Sequence, residues 1–190
     1  SKSNISKLSS LILITICLFA AIKYHLRFNE NRKFHELNYV DFKLFANAEK
    51  VDEKFFGLKW ITPKYKNESN EEIKIINEIK LHLLSDERKK MLMTNYSFFS
   101  TILNQKLHSP SRWFISDGTD YPMKGNKYFK NYKNLLIKII KDNNIEVIYT
   151  INPIESSLLY IYLDRNCFKE SKILDVFNSF EIKQCRDING

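Results

Sequence analysis

Glycine and proline are scarce in this sequence, at four each in 190 residues. That excludes a collagen-like or loop-dominated architecture. Gly57, Gly118 and Gly125 stand alone, so the chain has no glycine-rich phosphate loop, no dinucleotide fingerprint and no Gly-x-Ser-x-Gly elbow. The cysteines are Cys17, Cys167 and Cys185, without a CxxC pair, and the four histidines (His25, His35, His82, His108) lie far apart. These spacings do not describe a metal site, and no metal or cofactor is expected. A disulfide between Cys167 and Cys185 is open in an oxidising compartment, and two buried free thiols are equally open. Arginine, the better residue for bidentate contacts to phosphate or bases, is sparse beside lysine.

Hydrophobic residues make up 44% of the chain, enough for a core, and the formal charge is +8 with a pI near 9.2. Such a balance can attract nucleic acid or an anionic membrane. Here the lysines are dispersed, and the preference for Lys, Ile, Asn, Phe and Tyr fits AT-rich codons. Nucleic acid is not an expected partner. The membrane is, because Leu8–Ile22 reads LSSLILITICLFAAI without a charge.

Extended from Ile5 to Phe28, with Lys7, Lys23 and Arg27 snorkelling, that run reaches the length of a bilayer-crossing helix. A signal peptide fits less well: cleavage after Ala20 or Ala21 would put Leu18 or Phe19 where a small residue is needed. A buried core helix fits less well too, since the segment has no polar stripe. The first residue is Ser1, not Met, which suggests an excerpt from a longer protein. The organisation expected is a membrane helix with its flanks over 1–28, a polar linker over 29–36 and a soluble α/β domain over 37–190.

Within that domain, short apolar runs alternate with helical patterns. Strands are expected at Leu37–Leu44, Leu58–Thr62, Lys90–Thr94, Trp113–Ser116, Ile145–Ile151 and Phe180–Cys185. Helices are expected at Ala48–Phe56, from a Ser69/Glu72 capping box onward, at Tyr96–Lys106, Tyr128–Asn143, Leu158–Leu163 and Ile173–Phe177. The alternation points to a three-layer, mostly parallel, Rossmann-like sheet, with Ile145–Ile151 central because it has almost no polar face. Trp60 and Trp113 read as core anchors, with sugar stacking as the alternative.

Ligands of open parallel sheets sit beyond the carboxyl ends of the strands. That rule selects Asn95, Tyr96 and Ser97, then Asp117, Gly118, Thr119 and Asp120, then Asn152, Pro153 and Glu155. The ligand-binding candidates are Asn95, Tyr96, Asp117, Asp120 and Asn152. Asp117 and Asp120 could hold a hard cation, bind sugar hydroxyls or act as a general base, and they could equally cap their own turn. No residue is assigned a catalytic role.

The stretches KYHLRFNENRKFHEL, GLKWITP, LMTNYSFFSTIL and RWFISDGTDYPMKGNKYFKNYKNLLIKII together resemble the C-terminal soluble region of polytopic bacterial membrane proteins of the GT-C glycosyltransferase class. The resemblance spans roughly Lys23 to Cys185 and includes no catalytic signature. It implies a non-catalytic accessory domain of an inner-membrane glycosyltransferase-like protein, on the periplasmic side, assisting acceptor or sugar binding. Its partners would be the membrane, the remainder of the polytopic chain, and a saccharide or lipid-linked sugar. The charges flanking the helix (Lys23, Arg27, Arg32 and Lys33 after it, Lys2 and Lys7 before it) point to the cytoplasm instead. The alternative function is a stand-alone, membrane-anchored α/β enzyme with a polar site on the strand-end rim.

Overall fold

The computed structural model describes residues 2–30, 37, 40–65, 67–114, 120–152, 154, 157–185 and 188, with the side chains of 2–6, 28–30 and 42 outside that description. The chain forms two compact units, Ser1–Lys50 with Phe56–Ile73, and Val51–Phe55 with Lys74–Gly190.

The first unit opens with α1, Lys2–Tyr24, continued by a wider π-type turn at His25–Glu30. Lys7–Arg27 is long and apolar enough to cross a membrane, and its apolar side chains are exposed along its length. A core helix would bury them. The same unit holds a two-stranded antiparallel ribbon, β1 (Ala46–Asn47) with β2 (Lys59–Trp60). The strand expected over Leu37–Leu44 is not formed in its described part. Asp41 accepts a hydrogen bond from the Lys43 backbone N–H at 2.9 Å and turns Phe42–Leu44 into a 3-10 helix. The helix expected at Ala48–Phe56 is two 3-10 turns, Ala48–Lys50 and Glu53–Phe55.

Helix α2, Ser69–Ser85, begins where the sequence indicates, without the capping box. The buried Ser69 hydroxyl has no hydrogen-bond partner, and the Glu72 carboxylate accepts from Trp60 Nε1 at 2.7 Å and Thr62 Oγ1 at 2.8 Å. Ile73, Ile76, Ile79 and Leu83 are buried, as their helical spacing requires.

In the second unit a four-stranded sheet runs in the order β3 (Lys90–Met93), β4 (Val147–Ile151), β6 (Phe177–Ile182), β5 (Phe168–Leu174). β3 and β4 are parallel; β4–β6 and β6–β5 are antiparallel. The mostly parallel, Rossmann-like arrangement is therefore incorrect: the sheet is mixed. The cause is local. Residues expected to form a helix at Ile173–Phe177 instead end β5, turn at Asp175–Val176 and begin β6. A two-residue connection can only join antiparallel neighbours. Across the open end of this hairpin, beside the Phe168–Ile182 pair, Cys167 and Cys185 are joined by a disulfide with Cα atoms 5.1 Å apart.

All five residues of β4 are buried, and the strand is internal. Its two faces meet different helices. Tyr149 stacks on Phe177, ring centroids 5.1 Å apart, and both take the His82 ring of α2 edge-on. Ile148, Met91, Met93 and Phe180 point the other way, into a core with α4 (Phe129–Asp142, through Leu136 and Ile140) and α5 (Ser157–Tyr162, through Leu158 and Leu159). Helices cover both faces.

The crossover from β3 to β4 is less regular than expected. Helix α3 covers only Phe99–Ile102, because Asn104 takes a left-handed backbone at φ 50° and ends it. Trp113 and Phe114 are not in a strand, and the other half of that expected strand, 115–116, lies outside the described residues.

Candidate functional site

β3 is an edge strand, and the segment after α3 covers that edge. The Leu92 N–H donates to the Leu107 carbonyl at 2.9 Å. Farther along, the Asn95 side chain grips Phe114 from both sides: Oδ1 accepts from Phe114 N at 2.6 Å, and Nδ2 donates to Phe114 O at 3.4 Å. Residues 108–113 thus form an arch pinned at both feet. Its crown is tied to α4, where Ser111 Oγ lies 2.9 Å from Tyr132 Oη. Beneath the arch, at the carboxyl end of β3, is an open cleft of about 630 Å³.

The cleft wall is polar above an apolar floor. Thr94, Tyr96 and Ser97 bring hydroxyls from the β3 end and Ser100 from α3, while Lys106, before the arch, and His108 and Arg112, within it, bring nitrogen, over Leu92, Phe99 and Leu107. His108 holds a left-handed backbone, φ 48°, which costs a non-glycine residue energy and recurs where chains are held for function. Burial, with Lys106 and Lys89 nearby, lowers the proton affinity of its ring below the ordinary histidine value.

Of the four binding candidates among the described residues, Asn95, Tyr96, Asp120 and Asn152, only Tyr96 lines this cleft. Asn95 builds it, but both ends of its amide are occupied by the Phe114 backbone. Asp120 contributes its carbonyl, 3.3 Å from Ser111 Oγ. Asn152 reaches the same sheet edge, as the parallel β3–β4 pair requires, yet its backbone N–H serves the hairpin turn at Val176 O, 2.8 Å away. Asp117 lies outside the described residues. Trp113 is not a core anchor: it is 59% exposed, next in sequence to Arg112. Trp60 is half-buried and bonded to Glu72.

A second hollow of about 450 Å³ lies beyond Lys106 and His108, which it shares with the cleft, and is otherwise lined by Leu84, the run Asp86–Lys90 and Gln105. It carries a closed network. Arg88 Nε and Nη2 donate to Asp86 at 2.9 and 3.1 Å, and the Tyr149 hydroxyl donates to the same carboxylate. Tyr149 Oη also lies 3.3 Å from His82 Nε2. Burial alone would raise the Asp86 carboxyl; the bonds from Arg88 and Tyr149 outweigh it and lower it to about 2. Burial and the same bond raise Tyr149 above the ordinary phenol range. The Lys90 ammonium donates to the carbonyls of Leu83, at 2.9 Å, and Asp86.

Comparison with protein-family models, curated proteins and solved structures returns no match. Among the described residues no group of histidine, cysteine or carboxylate side chains could hold a metal ion.

The residues that sequence reasoning missed are Lys106, His108 and Arg112. The Ser109–Pro110–Ser111 turn between them was the available signal.

Proposed function

We propose that this chain is a membrane-anchored accessory domain of a glycosyltransferase-like membrane protein, whose cleft at the carboxyl end of β3 holds a saccharide. The observation that carries this reading is the cleft: a concave wall of hydroxyls with Tyr96 beside them, on an apolar floor. Hydroxyls that both donate and accept match a ligand made of hydroxyls, and an aromatic face packs on the C–H side of a sugar ring. The apolar helix Lys7–Arg27 supports anchoring in the membrane. The Cys167–Cys185 disulfide supports a periplasmic, oxidising side over the cytoplasmic one favoured by the flanking charges.

The test uses the full chain. It should stay with membranes through alkaline extraction. Solubilised in amine-oxide micelles, it should give saturation-transfer difference signals with some members of a panel of neutral mono- and disaccharides. Tyr96→Ala should weaken these signals while leaving the near-ultraviolet circular dichroism of the core intact. Release from membranes would defeat the anchoring; absence of transfer from every sugar, or signals indifferent to Tyr96→Ala, would defeat the saccharide cleft.

A further inference from the structure

We infer that the ligand of this cleft carries a phosphoryl group, held by Lys106 and Arg112 with the hydroxyl of Ser97. The inference deepens the reading of the cleft as a binding site, and it rests on that reading.

The first ground is charge. The chain is lysine-rich throughout, so a basic patch means little unless it differs from the rest of the surface. The adjoining hollow sets Asp86 and Glu87 among its cations. The cleft carries Lys106, Arg112 and His108 and no carboxylate among its described lining. Neither Lys106 nor Arg112 is ion-paired among the described residues.

The second ground is shape. Charges on an open surface are screened by water, but a concave site with an apolar floor focuses the potential of the cations on its rim. Lys106 acts in this way on His108: after burial, the largest cause, Lys106 and then Lys89 of the adjoining hollow lower the proton affinity of the ring. A bound anion would reverse their effect.

The third ground is chemistry. A guanidinium gives parallel donors and an ammonium adds a point charge, and together they match the oxygens of a phosphate better than a neutral ligand. Ser97, exposed at the cleft wall, adds a hydroxyl donor. The hollow is sized for a small molecule rather than for a nucleic-acid duplex.

The test is calorimetric titration of inorganic pyrophosphate into the full chain, in amine-oxide micelles and phosphate-free buffer. These micelles contain neither phosphate nor sugar. The expected dissociation constant is about 1 mM or tighter. Lys106→Gln with Arg112→Gln should weaken binding by about tenfold or more. Lys130→Gln with Lys138→Gln, which removes the same charge from the exposed side of α4, should leave it unchanged. Addition of phosphatidylglycerol to the micelles separates the two sources of phosphate. Competition with pyrophosphate would identify a lipid-borne group, and unchanged affinity a soluble phosphorylated ligand. Absence of pyrophosphate binding, or equal loss in both double variants, would overturn the inference. If neutral sugars still gave transfer signals in that case, the saccharide cleft would survive without its phosphoryl site; if they did not, both would fall.

Discussion

Replacing Asp86 by Asn tests whether the network beneath β3 stabilises the fold by charge. The carboxylate is only 10% exposed and accepts from Arg88 Nε at 2.9 Å, Arg88 Nη2 at 3.1 Å and the Arg88 backbone N–H at 3.0 Å, with the Tyr149 hydroxyl in addition. Its pKa falls from 3.8 to about 2. Each pKa unit corresponds to about 1.4 kcal/mol, so the ionised form contributes about 2 kcal/mol. The sign follows from the direction of the shift. A depressed carboxyl stabilises the fold above its unfolded value of 3.8, and this contribution is lost as pH falls toward 2. Asp86→Asn keeps the shape and one acceptor but removes the charge. Urea unfolding of the full chain in micelles, followed by near-ultraviolet circular dichroism, should show a deficit of about 2 kcal/mol at neutral pH. The deficit should shrink between about pH 4 and pH 2. A difference below about 0.5 kcal/mol at neutral pH, or one that does not shrink in acid, would refute the reasoning.

Three further outcomes follow from the packing. Asn95→Ala removes both bonds to the Phe114 backbone and leaves a buried residue's amide unpaired. It should cost about 1–2 kcal/mol and speed hydrogen exchange across residues 107–114 more than elsewhere. Reduction of Cys167–Cys185, which closes an 18-residue separation across the hairpin, should lower unfolding stability by about 3 kcal/mol, and alkylated protein should show the same loss. Leu136→Ala, at a fully buried position of α4, should cost about 3 kcal/mol in the same unfolding assay, whereas Leu135→Ala on the exposed side should cost far less.

What the sequence revealed depended on how local the determining forces were. Tyr128–Asn143 and Ile145–Ile151 were legible because period and burial coincide in them, and they match α4 and β4 closely. The β5–β6 hairpin was not. Phe177 and Phe180 are three residues apart, a helical spacing, but in a strand that spacing sends them to opposite faces, and both faces of this sheet are covered. The turn between the strands, Asp175–Val176, lacks the Asn-Gly or Asp-Gly signature. β5 is polar along most of its length because it lies at the sheet edge. The site divides the same way. Asn95, Tyr96 and Asn152 could be placed on one edge because β3 and β4 are parallel. Lys106, His108 and Arg112 are held at the cleft by the hydrogen bonds from Leu92 N–H to the Leu107 carbonyl and from Phe114 N–H to Asn95, and long-range pairing of that kind leaves no periodic trace in the chain.

The most direct test of the saccharide cleft is hydrogen–deuterium exchange of the full chain in amine-oxide micelles, with and without a sugar 1-phosphate, a ligand that joins both chemistries assigned to the site. Peptides covering residues 94–112 should gain protection when the ligand is added, while those covering α4 and the β5–β6 hairpin should not change. Protection confined to the hairpin or to α4, or none between residues 94 and 112, would contradict the account.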